Sequence, residues 1–355
     1  MQSKITLTSV LFFTIVLFLQ AKADVVVLPT DVNIQYIGRI DATNPLSPKI
    51  SWTGTQVAAN FHGSFIKVKI FSRSNTYYNI TVDGKVSLLL LQNGDVTYTL
   101  ASGLKNGVHT VILFKRDSPW NPQNFNGFII EDGKKLVAPP KRKTFKIEFY
   151  GDSKTQGAQV DIKGNGGDIQ DSMIFDNNDH SYTAFTAKYF NAEYSCIAQN
   201  GVSLTPYTTR ENLPEVYDRT GMGKDYNLWD FTKWQADVVC INLSTNDEPF
   251  PKDFTERYIN FVGKLREKYA NAKIFLIAGA FSYNETQSKK DAVENISKAV
   301  KELNDKGDSA VYYIEFKTVI NHNGHPRAKE NEACAKELIL KIKAVIKNDR
   351  LFSKE

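Results

Sequence analysis

The chain predicts two architectures in series: a small all-β sandwich or jelly-roll domain, followed by a three-layer α/β/α domain on a parallel sheet. Three observations carry this. Residues 33 to 138 are short β-branched and aromatic runs separated by Asp-Gly, Asn-Gly and Ser-Gly turns. Residues 139 to 143 hold paired prolines and a basic run, "PPKRK" around Lys141-Arg142-Lys143, which interrupt strand and helix alike. Beyond them, continuous apolar runs such as "DVVCINL" and "KIFLIAG" alternate with helical patterns, as expected of a sheet buried on both faces. A length of 355 residues also suits two domains, because single cores split beyond roughly 250–300 residues.

Taken in order, residues 1–23 read as an export signal. Lys4 supplies the positive start, Ile5 to Leu19 form an apolar run too short for a comfortable membrane span, and Ala21-Lys22-Ala23 is a small-residue cleavage site. The mature protein is therefore expected to be secreted or periplasmic, with no membrane partner. The β domain is assigned to 24–138, on runs such as "KISWTGTQVAANFHGSFIKVKIF", "YYNITVDGKVSLLLL", "VTYTLASGL" and "HTVILFKR". The linker is 139–143 and the α/β domain 144–355. In the latter, strands are expected at 145–150, 193–198, 237–243, 273–278 and 311–316, and helices at 181–190, 253–270, 287–305 and 327–347. Right-handed crossovers between parallel strands give a doubly wound sheet, whose ligands bind outside the carboxyl ends of the strands.

Composition excludes several classes. The net charge of +5 is modest and no Lys/Arg stripe interleaves with aromatics, so nucleic acid is not an expected partner. The three cysteines (Cys196, Cys240 and Cys334) and five histidines have no zinc spacing, and no metal or cofactor is expected. Cys196 and Cys240 fall in apolar strands, where buried free thiols are common. The glycine-rich "KGNGGD" at 163–168 lacks the features of a phosphate loop and reads as a flexible surface loop.

Four polar segments fall at the expected strand ends: Gly151-Asp152-Ser153, Asn200-Gly201, Ser244-Thr245-Asn246-Asp247, and the His322 to Pro326 stretch before the last helix. Together they hold what acyl transfer needs. A serine hydroxyl is a weak nucleophile until a base takes its proton, and histidine suits that role near neutral pH. The oxyanion of the tetrahedral intermediate needs preorganised N–H donors. Ser153 is the candidate nucleophile and His325 the candidate base, with His322 as the alternative base. Ser153 N–H, Gly201 N–H and the Asn246 side chain are the candidate oxyanion donors. Asp152 and Asp247 read as turn-holding residues. Trp229 and Trp234 read as packing residues, and so does Trp120 in the loop "RDSPWNPQNFNG", with a place in a sugar groove as the alternative.

This set of blocks resembles the SGNH (GDSL-type) hydrolases: "GDSKTQG" with Ser153, "QNGVSL" with Gly201, "INLSTNDE" with Asn246 and "NGHP" with His325. The longer stretches "ISWTGTQVAANFHG", "FNGFIIEDGKKLVAPP" and "WDFTKWQADVVCINLSTNDE" are similar to carbohydrate esterase family 2, over about residues 33 to 345. That resemblance implies a β jelly roll before an SGNH domain. It also implies an acetylxylan esterase-like deacetylase that removes O-acetyl groups from plant polysaccharides such as xylan or glucomannan, by a Ser–His acyl-enzyme route without cofactor. The partner would be an acetylated polysaccharide or oligosaccharide and the protein a monomer.

Three departures from the family pattern stand out. The aspartate usual two or three residues before the histidine is replaced by Asn323 and His322, so no local carboxylate orients His325. A Ser–His dyad is then expected, with a backbone carbonyl or the Asn323 side chain as the possible orienting group. Ser244 replaces the usual glycine of the third block, and Gly324 stands where tryptophan is frequent. Two other functional classes stay open at this point: a catalytically weakened carbohydrate-binding protein, and a lipid or thioester hydrolase on the same scaffold.

Overall fold

The computed structural model describes residues 23–164, 166–169, 173–206, 211–282 and 286–347. The export signal read over residues 1–23 thus lies outside the described residues, Ala23 excepted. No helix among the described residues is long and apolar enough to cross a membrane.

The N-terminal half folds as two antiparallel six-stranded sheets. One follows the order Ile40–Asp41, Lys49–Ile50, Gln123–Ile130, Ile66–Ser72, Gly94–Ala101, with Val25–Val27 added on Gln123–Ile130. The other runs Leu136–Val137, Gln56–Gly63, Gly107–Lys115, Thr76–Val82, Lys85–Leu91, with Ile34–Ile37 added on Gln56–Gly63. Strand period explains the core. In Ile66–Ser72 the residues Ile66, Val68 and Ile70 are buried and the intervening lysines are not, so one face of each sheet closes on the other.

The C-terminal half is a five-stranded parallel sheet. Its strands are β1 (Lys146–Gly151), β2 (Glu193–Ala198), β3 (Val238–Asn242), β4 (Lys273–Ala278) and β5 (Val311–Glu315), in the order β2-β1-β3-β4-β5. Every residue of β2 and β3 is buried, as their apolar runs require. Alternate residues feed two cores. Val239 and Ile241 join the cluster of α3 (Phe254–Lys268) and α4 (Gln287–Asp305), whereas Val238 and Cys240 join that of α2 (Tyr182–Tyr189) and α5 (Ala328–Ile346). The helices show matching stripes: Phe254, Tyr258, Phe261, Val262 and Leu265 are the buried face of α3. All three cysteines are buried free thiols.

The two halves share a core. Trp52 of the sandwich packs into the α3/α4 cluster and donates its indole N–H to Arg219 O at 3.1 Å. Beside it, fully buried Arg39 crosses into the α/β half and meets Glu148 of β1 at 3.0 Å and the Tyr150 hydroxyl at 2.8 Å. This latch is attached to the strand that delivers the serine.

Candidate active site

Strand β1 ends at Gly151, and the backbone turns at once into the four-residue helix α1 (Ser153–Gln156). Only glycine fits at 151, because a Cβ there would lie 2.0 Å from Thr155 Oγ1 and 2.8 Å from Asn242 O. Asp152 is the N-cap and its carboxylate accepts from Lys154 N at 2.9 Å, so it holds the turn as its residue type suggests. Ser153 follows at the first helical position, where an N–H has no partner within the helix, and it keeps only 4% of its surface exposed.

The Gln156 side chain ties this turn to the second block. Its carbonyl accepts from Asn200 N at 2.7 Å and its amide donates to Asp176 at 3.2 Å. Gly201 comes next, and its N–H meets no acceptor among the described residues. In the third block Asn246 donates one side-chain N–H to Val202 O at 2.8 Å, which fixes the carboxamide beside the Gly201 segment. Asp247 accepts from Leu204 N and from both the backbone and hydroxyl of Thr205, so it is a structural brace.

The fourth block separates the two histidines. His322 is buried, with one ring nitrogen 3.0 Å from Glu330 and the other 3.2 Å from Asn323 O; neither is available as a base. His325 keeps about a quarter of its side chain exposed, and its Nδ1 lies 2.6 Å from Asp168 Oδ2. Burial raises the Asp152 carboxyl above the usual range. Lys154 opposes that rise through its charge and its backbone N–H.

Three expectations are corrected here. Asn323 does not orient His325, because the imidazole Nδ1 is taken by Asp168, 157 positions away in sequence. The stretch "KGNGGD" is therefore no loose surface loop at its end: Arg327 donates to Asp168 Oδ1 and to Gly166 O, both at 2.8 Å. Burial works against the Asp168 charge, but the hydrogen bonds of Arg327 and His325 outweigh it and hold this carboxyl below its ordinary range. Trp120 is likewise no packing residue, being 57% exposed. Its loop is fastened to the second block, since Ser118 Oγ donates to Gln199 Oε1 at 3.0 Å. Trp234 is buried and Trp229 partly so, both against the α3/α4 core.

Sequence reading missed Gln156, Asp168, Asp176 and Arg327. Asp176 is buried, accepts from Gln159 N at 2.8 Å, and is pushed up to about 6 by its burial. The one usable signal was the acid that closes a glycine-rich loop. An apolar cavity of about 340 Å³ lies elsewhere, between Ala58 and Ile112 of the sandwich and Ala187 and Tyr194 of the α/β half, and none of the four blocks lines it.

Comparison with known proteins agrees with this layout. Residues 36–140 match the carbohydrate esterase 2 N-terminal family, and residues 149–333 match the GDSL-like lipase/acylhydrolase family. A cellulase/esterase of Acetivibrio thermocellus, CelE, is 32% identical over 329 residues, 87% of this chain, and the chain spans 39% of that protein's length. An acetylxylan esterase/glucomannan deacetylase of Cellvibrio japonicus is 27% identical over 336 residues, covering 88% of this chain and 90% of that one. Among solved structures, a family two carbohydrate esterase from Clostridium thermocellum in complex with cellohexaose superimposes with a TM-score of 0.79. It is 30% identical over 88% of this chain and 99% of that one. A family two carbohydrate esterase from Cellvibrio japonicus, 23% identical, has the same fold, with a TM-score of 0.84 over 92% of this chain and 99% of that one.

Proposed function

Because this chain belongs to the family 2 carbohydrate esterases and is a carboxylic-ester hydrolase, we propose that it removes O-acetyl groups from plant polysaccharides of the xylan or glucomannan type, outside the cytoplasm, with Ser153 as nucleophile and His325 as base. The observation that carries this reading is the strand-end edge. Ser153 at the head of α1 and the loops of Gly201 and Asn246 are joined through Gln156 and Val202, and His325 offers an imidazole whose Nδ1 is already engaged.

The steps follow from the groups present. Ser153 Oγ attacks the acetyl carbonyl while His325 Nε2 takes its proton. The negative oxygen of the tetrahedral intermediate is met by Ser153 N–H, Gly201 N–H and the Asn246 carboxamide, which Val202 O holds in place. The ester C–O bond then breaks, His325 returns the proton to the sugar oxygen, and an acetyl group is left on Ser153. Water attacks this acyl-enzyme, giving a proton to His325. Acetate departs, and the proton returns to Ser153. Trp120, exposed on a loop fastened at Gln199, provides an aromatic face for the sugar chain.

Acetate release from acetylated xylan and acetylated glucomannan, compared with the Ser153→Ala variant, tests the reading. Release by the unaltered protein alone is expected. Equal release by both removes Ser153 from the mechanism. A binding role is the second reading, because a relative is seen with cellohexaose. Its mark is cello-oligosaccharide affinity that Ser153→Ala leaves unchanged, with no ester turned over by either protein.

A further inference from the structure

We propose that Asp168 is the positioning carboxylate of His325, delivered by a distant loop in place of the acid absent beside the histidine. The inference rests on the reading of His325 as the base. Three contacts converge on this carboxylate. Its Oδ2 is 2.6 Å from His325 Nδ1, and both oxygens are 3.2 Å from the His325 backbone N–H. The ring and the main chain of the histidine are thus held by one group. Oδ1 accepts from Arg327 Nη1 at 2.8 Å, and the same guanidinium donates to Gln159 O and Gly166 O, which fixes the loop that brings Asp168 in.

Room for this arrangement comes from Gly324. A Cβ at this position would lie 2.4–2.6 Å from the three carboxylate atoms of Asp168, and φ is +107°. Any larger residue at 324 would push the carboxylate away from the imidazole. The glycine beside the histidine and the acid on the remote loop are therefore parts of one device. The neighbouring groups do not take this place: His322 is paired with Glu330, the main-chain carbonyl of Asn323 faces His322, and His325 Nδ1 is already at Asp168.

The chemistry follows from what each atom is able to do. A carboxylate only accepts, so Nδ1 must carry the hydrogen and Nε2 keeps the lone pair that a base needs. During turnover the imidazole becomes a cation, which the adjacent negative charge stabilises. Asp168→Asn separates the two roles. Arg327 is donor-only, so the asparagine oxygen must face it and the NH₂ must face Nδ1. That reverses the tautomer and puts the hydrogen on Nε2, where it blocks proton uptake from Ser153.

The test compares the unaltered protein with Asp168→Asn, Gly324→Ala and Ser153→Ala, using 4-nitrophenyl acetate turnover and proton NMR of the ¹⁵N-labelled imidazoles. For Asp168→Asn, kcat should fall about 100-fold or more, within the range that positioned acid–base catalysis supplies, with KM changed less than about threefold. The downfield Nδ1–H signal of His325 should vanish with it. Gly324→Ala, which leaves Asp168 in the chain, should lose the same signal and most of kcat, and it decides the matter if Asp168→Asn does not fold. Ser153→Ala should abolish turnover and keep the signal. Unchanged kcat, or a lost kcat with the Nδ1–H signal intact, overturns the role of Asp168. Turnover retained by Ser153→Ala instead overturns the parent reading, and the NMR signal still reports on the Asp168 contact.

Discussion

Replacing Arg39 with methionine is expected to cost about 3–5 kcal/mol of stability, the usual result of removing one partner of a buried ion pair. Arg39 and Glu148 are fully buried, and the guanidinium reaches Glu148 Oε1 through both Nε, at 3.2 Å, and Nη2, at 3.0 Å. It also donates to Tyr217 O and to the Tyr150 hydroxyl. Methionine fills part of the space but leaves the Glu148 carboxylate with only the hydroxyls of Tyr150, at 2.6 Å, and Tyr269, at 2.5 Å. With roughly 2.1 cal/mol/K of unfolding entropy per residue, a loss of about 4 kcal/mol in a chain of this length lowers the melting temperature by about 5 °C. Calorimetry of Arg39→Met, Glu148→Gln and the double variant measures this. The double variant should be more stable than the sum of the single losses by at least about 1 kcal/mol, the coupling expected of groups in contact. A melting point for Arg39→Met within a degree of the unaltered protein would refute the claim that this pair locks the sandwich onto β1.

Three further outcomes follow from other contacts. Gln156→Ala removes the acceptor of Asn200 N and a donor to buried Asp176, so it should lower kcat more than it raises KM and cost about 1–3 kcal/mol of stability; steady-state kinetics and melting would check both. Trp120→Ala should raise KM roughly tenfold, about 1.4 kcal/mol, on acetylated polysaccharide and leave 4-nitrophenyl acetate unaffected; an equal change on both substrates would contradict the sugar platform. Asp176, raised to about 6 from 3.8, holds a proton in the fold that the unfolded chain releases between those two values. Its contribution is therefore neutral below pH 4 and becomes a cost of about 3 kcal/mol by pH 7. The fall in melting temperature between pH 4 and pH 7 should be shallower in Asp176→Asn, and an identical slope would show that the group titrates normally.

The parallel sheet was legible because its strands are buried on both faces, and such runs as "DVVCINL" leave no other environment for themselves. Observed bounds such as Gln287–Asp305 for α4 coincide with the expected helix, since its apolar spacing leaves one face to bury. The four polar blocks were legible as segments, because a loop after each strand must fall on one edge. The orienting group of His325 was not. Local sequence pointed to Asn323, but the contact spans 157 residues and comes from a loop without periodicity. Gly324 was visible as a departure, and its reason appears only once Asp168 fills the space above it. Trp120 was misjudged because hydrophobicity alone favours packing, whereas its polar loop holds it out toward solvent.

The most direct measurement is covalent labelling with a fluorophosphonate, followed by mass spectrometry of the peptides and assay of residual esterase activity. The account predicts one label per chain, on Ser153, with loss of activity in proportion to labelling and no label in Ser153→Ala. Full esterase activity in a protein labelled at Ser153, or inactivation with the label on any other residue, would contradict it.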